Sequence, residues 1–179
     1  MKPVKDNSDA LDTLFKESYQ KAYRAAKCIC FDGGMAEDVV AEALLRMWKT
    51  LKSGRNLDNA EAFFLRVTVN EAKRLALRRS DIPSDKIADY LDELIMCHDE
   101  TLMYAEEAKR LLFAVNSLPV KLALPVKLHY YGGFSEKEAS KMLGVSYAAI
   151  KTRLHRARQK LKECLLGENG NYGGRCNET

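Results

Sequence analysis

Apolar residues in the first 80 positions recur at steps of three and four, which is the spacing of one face of an α-helix. This pattern predicts three helices, over residues of about 11–29, 36–51 and 60–79. A polar loop over residues 53–59 separates the last two. No segment alternates apolar and polar residues as a half-buried strand does, so the pattern predicts an all-α fold.

The second half opens with the same helical spacing, over residues of about 108–118 and 120–131. Pro119 suits the first position of the second of these helices, where its missing N–H is not needed. Pro125 falls in the interior of that helix, where it removes a hydrogen bond. We therefore expect a kink there, at a cost of about 3 kcal/mol if nothing compensates.

The last two predicted helices are arranged as a helix-turn-helix. A short helix over residues 135–143 opens on a capping box formed by Ser135 and Glu138. Gly144 marks a tight turn before a longer helix over residues 146–165. These elements, in this order, are typical of a motif that places its second helix in the major groove of DNA.

The longer helix has one apolar and one cationic face. The apolar stripe consists of Ile150, Leu154, Ala157, Leu161 and Leu165. The opposite side, at about 100° per residue, carries hydrogen-bond donors and cations and no carboxylate before Glu163. Such side chains suit phosphate oxygens and base edges, although a merely solvated basic face is the alternative. The candidate DNA-binding residues of this face are Lys151, Thr152, Arg153, His155, Arg156 and Gln159.

Charge divides the 179-residue chain into three parts. Residues 1–80 carry a net charge of +4, residues 81–107 a net charge of −8, and residues 108–179 a net charge of +8. Two basic ends around an acidic middle indicate two polyanion-facing modules and a connector that polyanions repel. We therefore predict helical domains over 8–80 and 108–166, a flexible acidic linker over 81–107 and a disordered tail over 167–179.

The remaining composition excludes several classes of protein. The five cysteines have no repeating spacing, which indicates a reducing cytoplasm rather than a disulfide framework. No apolar run approaches the roughly 18 residues of a membrane helix, so we expect no membrane insertion. The three histidines form no spaced cluster with cysteine, and no nucleophile–base pairing or glycine-rich phosphate loop stands out. We expect no metal, no cofactor and no enzymatic activity.

Residues in both halves resemble one known family. The segment from Ala36-Glu37-Asp38 to Trp48 is similar to the one that begins "AED" and ends in Trp in bacterial extracytoplasmic-function (ECF) sigma factors. Residues 62–70 resemble the same family's promoter-melting helix. Leu118-Pro119, Gly133-Phe134-Ser135, the turn 143–146 and the run 150–158 follow its C-terminal module. Two such modules in this order are more specific than either one alone.

The resemblance implies a transcription initiation factor that binds core RNA polymerase and promoter DNA. The second helix would dock on the polymerase through Asp38, Glu42, Leu45 and Trp48. The loop and third helix would melt and hold the minus-ten element through Arg55, Asn56, Phe63, Arg66, Asn70, Lys73 and Arg74. The last helix would read the minus-thirty-five element, and Ser146, Tyr147 and Ala149 join its candidate DNA-binding residues. Family members are usually held inactive by an anti-sigma factor.

This chain departs from the family pattern at two candidate positions. Ala149 stands where a hydroxyl is common, so base preference does not carry over. Phe63 stands where tryptophan is usual, which leaves a smaller ring for stacking. Two other interpretations remain open at this point: a free-standing dimeric helix-turn-helix regulator, and an antagonist that sequesters a polymerase subunit.

Overall fold

The computed structural model describes residues 5–55, 57–78 and 102–166. Over these residues the chain forms seven α-helices and one π-helical turn, with no β-strand. They divide into two compact units. Apart from a few residues, the first unit lies before residue 80 and the second lies after it. The predicted all-α fold with two helical domains is confirmed. The disordered tail and most of the flexible linker were predicted for residues outside the described ones.

The N-terminal unit consists of α1 (Lys5–Cys30), α2 (Gly33–Lys52) and α3 (Ala60–Arg78), and each of these helices packs on the other two. Its fully buried side chains combine large residues with alanines at the helix contacts; the large ones are Ile29, Phe31, Val39, Val40, Met47 and Phe64. The apolar spacing of α2 predicts a buried stripe of Val40, Leu44, Met47 and Leu51, and the observed stripe is shifted from it. Leu44 and Leu51 are only half-buried, whereas Ala36, Val39 and Ala43 are buried, because small residues let the helices approach closely.

The junction between α1 and α2 is short, although Asp32-Gly33-Gly34 predicts a break between the two helices there. Gly33 and Gly34 do not break the chain but form the first turn of α2. The side chain of Asp32 caps this turn by accepting a hydrogen bond of 3.0 Å from the backbone N–H of Met35. The reversal is made by Phe31, whose φ is 54° and whose ring is buried.

The C-terminal unit contains α4 (Leu102–Ser117), α5 (Val120–Val126), a π-helical turn (Lys127–Tyr131), α6 (Glu136–Leu143) and α7 (Tyr147–Leu166). Its core includes Leu112, Leu128, Phe134, Ile150 and Leu154, each at most 1% exposed. Helix α4 begins six residues before the predicted boundary at residue 108. Residues 102–107 are therefore helical and do not belong to a flexible linker.

Pro125 is accommodated by a change of helix type. It is buried inside α5, and two residues later the chain enters the π-helical turn, where Gly132 N–H donates to the carbonyl of Lys127 at 2.9 Å. A Cβ on Gly132 would lie 2.7 Å from the carbonyl oxygen of Leu128, so this close approach requires glycine. Pro119 is the N-cap of α5 rather than its first helical residue.

The predicted helix-turn-helix is confirmed, with its caps. Ser135 Oγ accepts from the backbone N–H of Glu138 at 3.3 Å, and the Glu138 carboxylate accepts from the Ser135 N–H at 2.9 Å. Gly144 turns the chain with a φ of 65°, a conformation that favours glycine. Ser146 Oγ then accepts from Ala149 N–H at 3.2 Å and caps α7.

Candidate nucleic-acid interfaces

Helix α7 has two sharply different faces. Ile150, Leu154 and Ala157 are at most 1% exposed and hold the helix on the rest of the unit. The opposite face is open to solvent, and its exposed residues are Lys151, Thr152, His155, Arg156 and Gln159. Arg153 and Ala149 are half-buried at the margin. The helix is therefore anchored by its apolar stripe, and its hydrogen-bond donors remain accessible.

Local contacts orient the first two turns of this face. Tyr147 is 48% exposed, and Lys151 Nζ lies 4.7 Å above its ring centroid. Thr152 Oγ1 donates to the carbonyl of Ala148 at 3.0 Å, which leaves its methyl group and oxygen lone pairs for an external partner. Within the described residues, no acidic side chain pairs with Arg156. The face can accordingly offer cations and donors to an anion without first losing an ion pair.

Helix α3 carries the second group of candidates on one face. Phe63, Arg66, Asn70, Lys73 and Arg74 follow each other at steps of three, four, three and one, so they share one side. The four polar ones are exposed and Phe63 is half-buried, which leaves part of its ring accessible for stacking. Lys73 and Arg74 extend the cationic side at the C-terminal end of the helix.

The loop before α3 is described in part. Arg55 is exposed there, whereas Asn56 lies outside the described residues. Asn59 caps α3, because its Oδ1 accepts from the backbone N–H of Ala62 at 2.8 Å. The loop therefore ends at a defined helix start, directly before Phe63.

Arg74 also takes part in a network that the sequence reading missed. Its Nη2 and Nε lie 2.8 and 2.9 Å from one carboxylate oxygen of Glu71, which is 3% exposed. The other oxygen of Glu71 lies 2.6 Å from Nη1 of Arg46 on α2, and Arg46 Nε donates to Glu42 at 3.0 Å. The helical period does contain a signal, since Glu71 follows the buried line from Phe64 through Thr68.

The predicted polymerase-docking residues lie along the outer side of α2. Leu45 and Trp48 are 53% and 45% exposed, although both are large and apolar. Lys52 Nζ lies 4.8 Å from the centroid of the Trp48 ring and covers only one face of it. Asp38 is exposed, and Glu42 is half-buried beside Arg46. Trp48 is therefore not a core residue, and its exposure suits a contact with another molecule.

Neither metal-binding groups nor membrane-spanning helices are found in the part of the chain that the structure describes. No three histidine, cysteine, aspartate or glutamate side chains there could share a metal ion, and no helix is long and apolar enough to cross a bilayer. Cys28 and Cys30 are buried, and Cys28 Sγ donates to the carbonyl of Ala25 at 3.2 Å. The apolar helical pattern around Cys28 and Cys30 predicts buried, inert thiols, and their burial agrees with this.

Comparison with known families assigns both units. Residues 14–81 match the family model described as Sigma-70 region 2, and residues 108–161 match the model described as Sigma-70, region 4. The ECF RNA polymerase sigma-E factor of Escherichia coli strain K12 is 25% identical over 138 residues, which are 72% of this chain and 72% of that protein. The ECF RNA polymerase sigma factor SigE of Mycolicibacterium smegmatis is 25% identical over 162 residues, which are 86% of this chain and 61% of that protein.

Two solved structures share the fold. The structure of CnrH in complex with the cytosolic domain of CnrY matches with a TM-score of 0.57 and 19% identity, covering 90% of this chain and 91% of that one. The sigma factor RpoE in complex with the anti-sigma factor NepR from Bartonella quintana matches with a TM-score of 0.52 and 20% identity, covering 93% and 100%.

Two helical units that match regions 2 and 4 define a non-enzymatic transcription initiation factor of the sigma-70 type. The chain belongs to the ECF group of that family, as the resemblance predicted, and is a sigma factor that directs RNA polymerase to promoters. The presence of both regions favours this assignment over the dimeric regulator and the antagonist, since neither of those requires a second DNA-binding module.

Proposed function

We propose that the two units divide promoter recognition between them. The exposed face of α7 reads the minus-thirty-five element in the major groove, and the loop before α3 together with α3 opens and holds the minus-ten element. The observation that carries this proposal is that α7 buries its apolar face and exposes its cationic face on the opposite side. Leu154 is 1% exposed, whereas Arg156 and Gln159 stand in solvent on a helix of 20 residues. An anchored helix with an open donor-rich face is what major-groove reading requires.

The face of α3 supports the minus-ten role by its mixture of side chains. Phe63 offers a partly accessible ring on which an unstacked base can lie. Arg66, Asn70 and Lys73 are exposed on the same side and offer cations and an amide to the separated strand. Arg55 lies in the loop that would receive a flipped base. Stacking and phosphate contacts together hold a single strand with little dependence on base identity.

Helix α2 would bind core RNA polymerase through its outer side. Leu45 and Trp48 supply the apolar centre of this contact, and Asp38 and Glu42 supply an acidic rim. An exposed tryptophan beside an exposed leucine is a favourable binding anchor, because its burial on docking removes a large apolar area from water. In this proposal the polymerase sets the separation between the two DNA-binding units.

An anti-sigma factor is the second protein partner that we propose. The two solved structures compared above are both complexes with a second protein, and in one of them the sigma factor RpoE is bound to the anti-sigma factor NepR. A cytoplasmic location follows from a function on RNA polymerase and promoter DNA. The partner would have to cover the polymerase-docking side of α2 or the DNA-facing sides of α3 and α7 to keep the factor inactive.

A selection experiment tests the proposed function. Core RNA polymerase carrying the purified chain is mixed with randomised duplex DNA, and the bound fraction is sequenced; the chain alone and core polymerase alone are run in parallel. We expect two enriched sequence blocks at a constant separation with the complete holoenzyme, and none with the chain alone. Tight enrichment of a palindrome by the chain alone would instead support the dimeric regulator.

A pair of variants links that selection to α7. Arg156→Ala removes a cation from the proposed reading face, whereas Lys121→Ala removes an exposed cation from α5, outside either interface. We expect Arg156→Ala to reduce the enrichment of the upstream sequence block and Lys121→Ala to leave that enrichment unchanged. Both variants lose one positive charge, so a difference between them does not come from net charge. Equal weakening by the two would show that only general electrostatic attraction was lost.

A further inference from the structure

Glu71 is a buried carboxylate between two helices to which we have assigned different roles. Its side chain is 3% exposed, and each of its two oxygens faces a different arginine. Arg46 on α2 approaches Oε1 at 2.6 Å, and Arg74 on α3 approaches Oε2 at 2.8 Å through Nη2 and at 2.9 Å through Nε. An ionised carboxylate that is this deeply buried is tolerated because both of its oxygens are paired.

The contact leaves part of Arg74 available. A guanidinium carries five N–H donors, and Glu71 engages the edge formed by Nε and Nη2. The Nη1 donors and one Nη2 donor remain, and the Arg74 side chain is 42% exposed. Arg74 is thus held on one side by a buried anion and open to solvent on the other, which is the arrangement of an arginine that is pre-oriented for a second anion.

We propose that Glu71 is a positioning residue for promoter melting, acting by holding Arg74 so that its outer edge meets a phosphate of the separated minus-ten strand. This inference rests on the minus-ten role that we have proposed for α3. Lys73 makes no such contact within the described residues and contributes a mobile charge instead. Arg74 contributes an oriented one, so less side-chain freedom is lost when the strand binds.

The same carboxylate connects this contact to the polymerase-docking helix. Arg46 bridges Glu71 to Glu42, whose Oε1 accepts from Arg46 Nε at 3.0 Å. Glu42 belongs to the rim of the proposed docking surface on α2. A continuous line of four charged side chains therefore runs from that surface to the strand-binding face of α3, across the packed contact between the two helices.

The salt dependence of strand binding tests the role of Glu71. The DNA is the duplex that the wild-type holoenzyme enriches from a random library. This duplex is prepared so that its non-template strand is unpaired across the opened segment, and the holoenzyme is then bound to it. Affinity is measured by fluorescence anisotropy over a series of salt concentrations. Each phosphate neutralised on a single strand contributes about 0.7 to the slope of log K against log salt, and a change in folding stability does not alter this number.

Three single variants and one double variant complete the experiment. Glu71→Gln removes the buried charge with almost no change of shape, and Arg74→Gln removes the proposed phosphate contact while keeping an amide that can donate to Glu71. We expect each to reduce the slope by about 0.7 and the affinity about tenfold at low salt, and the double variant to add nothing further. Glu61→Gln is the matched control, because Glu61 lies on α3 as Glu71 does. It breaks an exposed ion pair with Lys21 of α1 and should leave the slope unchanged.

The outcomes separate this inference from the proposed function. If the wild-type holoenzyme binds and opens the duplex but Glu71→Gln keeps the full slope, Glu71 is only structural and the inference is wrong. An unchanged slope for Arg74→Gln would contradict it as well, because Arg74 would then meet no phosphate. If the wild-type holoenzyme enriches no duplex at all, the proposed function fails and the positioning role fails with it.

Discussion

The two proposed DNA-binding helices present their cations in different ways. On α7 the reading residues stand free of ion pairs with described acidic side chains, and a buried apolar stripe on the other side fixes the helix. On α3 one of the cations, Arg74, is bound to a buried glutamate that also binds α2. On α7, therefore, the side chains that hold the helix in place are different from those proposed to contact DNA. On α3, Arg74 does both. Substitutions should accordingly have separable effects on α7 and mixed effects on α3.

The largest expected effect is loss of the apolar anchor of α7. Leu154→Ala removes a fully buried side chain and should lower the free energy of unfolding by about 3 kcal/mol, through lost apolar burial and the cavity that remains. Urea denaturation followed by circular dichroism measures this loss. Arg156→Ala on the opposite face should change stability by less than about 0.5 kcal/mol. Similar losses for both would contradict the separation of faces.

Next in size is the effect of removing the shared carboxylate on α3. Glu71→Ala should cost about 2–3 kcal/mol, because two arginines lose their partner, although both are half-exposed and regain water. Trp48, the only tryptophan of the chain, lies on the neighbouring helix α2 and reports unfolding of this unit by its fluorescence. Glu61→Ala, at an exposed ion pair, should cost less than about 1 kcal/mol. Equal costs would mean that burial of Glu71 does not matter.

The sequence predicts the proposed DNA-binding face of α7 better than it predicts the corresponding side of α3. The faces of α7 follow from an apolar stripe at helical spacing, and Ser135, Gly144 and Ser146 mark the ends of the helices by local chemistry. All of these signals lie within a few residues of the feature that they specify. The network of Glu71 depends on Arg46, which is 25 positions away and meets it only once α2 and α3 pack. The helical period indicates that Glu71 is buried. It does not indicate the partner, because a tertiary contact of this kind leaves no local pattern that identifies Arg46.

Tertiary packing and local compensation also cause the other differences between expectation and structure. The stripe of α2 moved because alanines, which carry a weak apolar signal, occupy the closest helix contacts. The π-helical turn after Pro125 was not predicted, since a proline indicates a lost hydrogen bond but not how the chain compensates. The start of α4 was placed too late because acidic residues masked its apolar spacing.

A smaller effect is expected when the reading face itself is changed. Arg156→Ala should weaken promoter binding by the holoenzyme by about 1–3 kcal/mol if the guanidinium meets a base edge. Gel-shift titration with the enriched duplex and with base-substituted versions measures the loss. A base contact also predicts relaxed specificity at one position of the upstream block, whereas a phosphate contact predicts uniform weakening. Unchanged affinity would remove Arg156 from the reading face.

The smallest effect concerns the cap that begins the helix-turn-helix. Ser135→Ala removes the acceptor for the Glu138 N–H and should lower stability by about 1 kcal/mol. Thermal denaturation of the purified chain measures it, with Ser53→Ala as a control, because the Ser53 hydroxyl only donates to the carbonyl of Thr50 at the end of α2. A loss at Ser135 no greater than at Ser53 would show that the cap contributes little.

The most direct test of the account is the dependence of promoter opening on the distance between the two enriched sequence blocks. Base pairs are inserted or deleted between the blocks, and permanganate reactivity of thymines in the downstream block reports opening by the holoenzyme. If polymerase holds the two units at one separation, opening should be lost when five base pairs, about half a helical turn, are inserted. Opening that survives this insertion undiminished would contradict the claim that both units bind one promoter at a fixed separation.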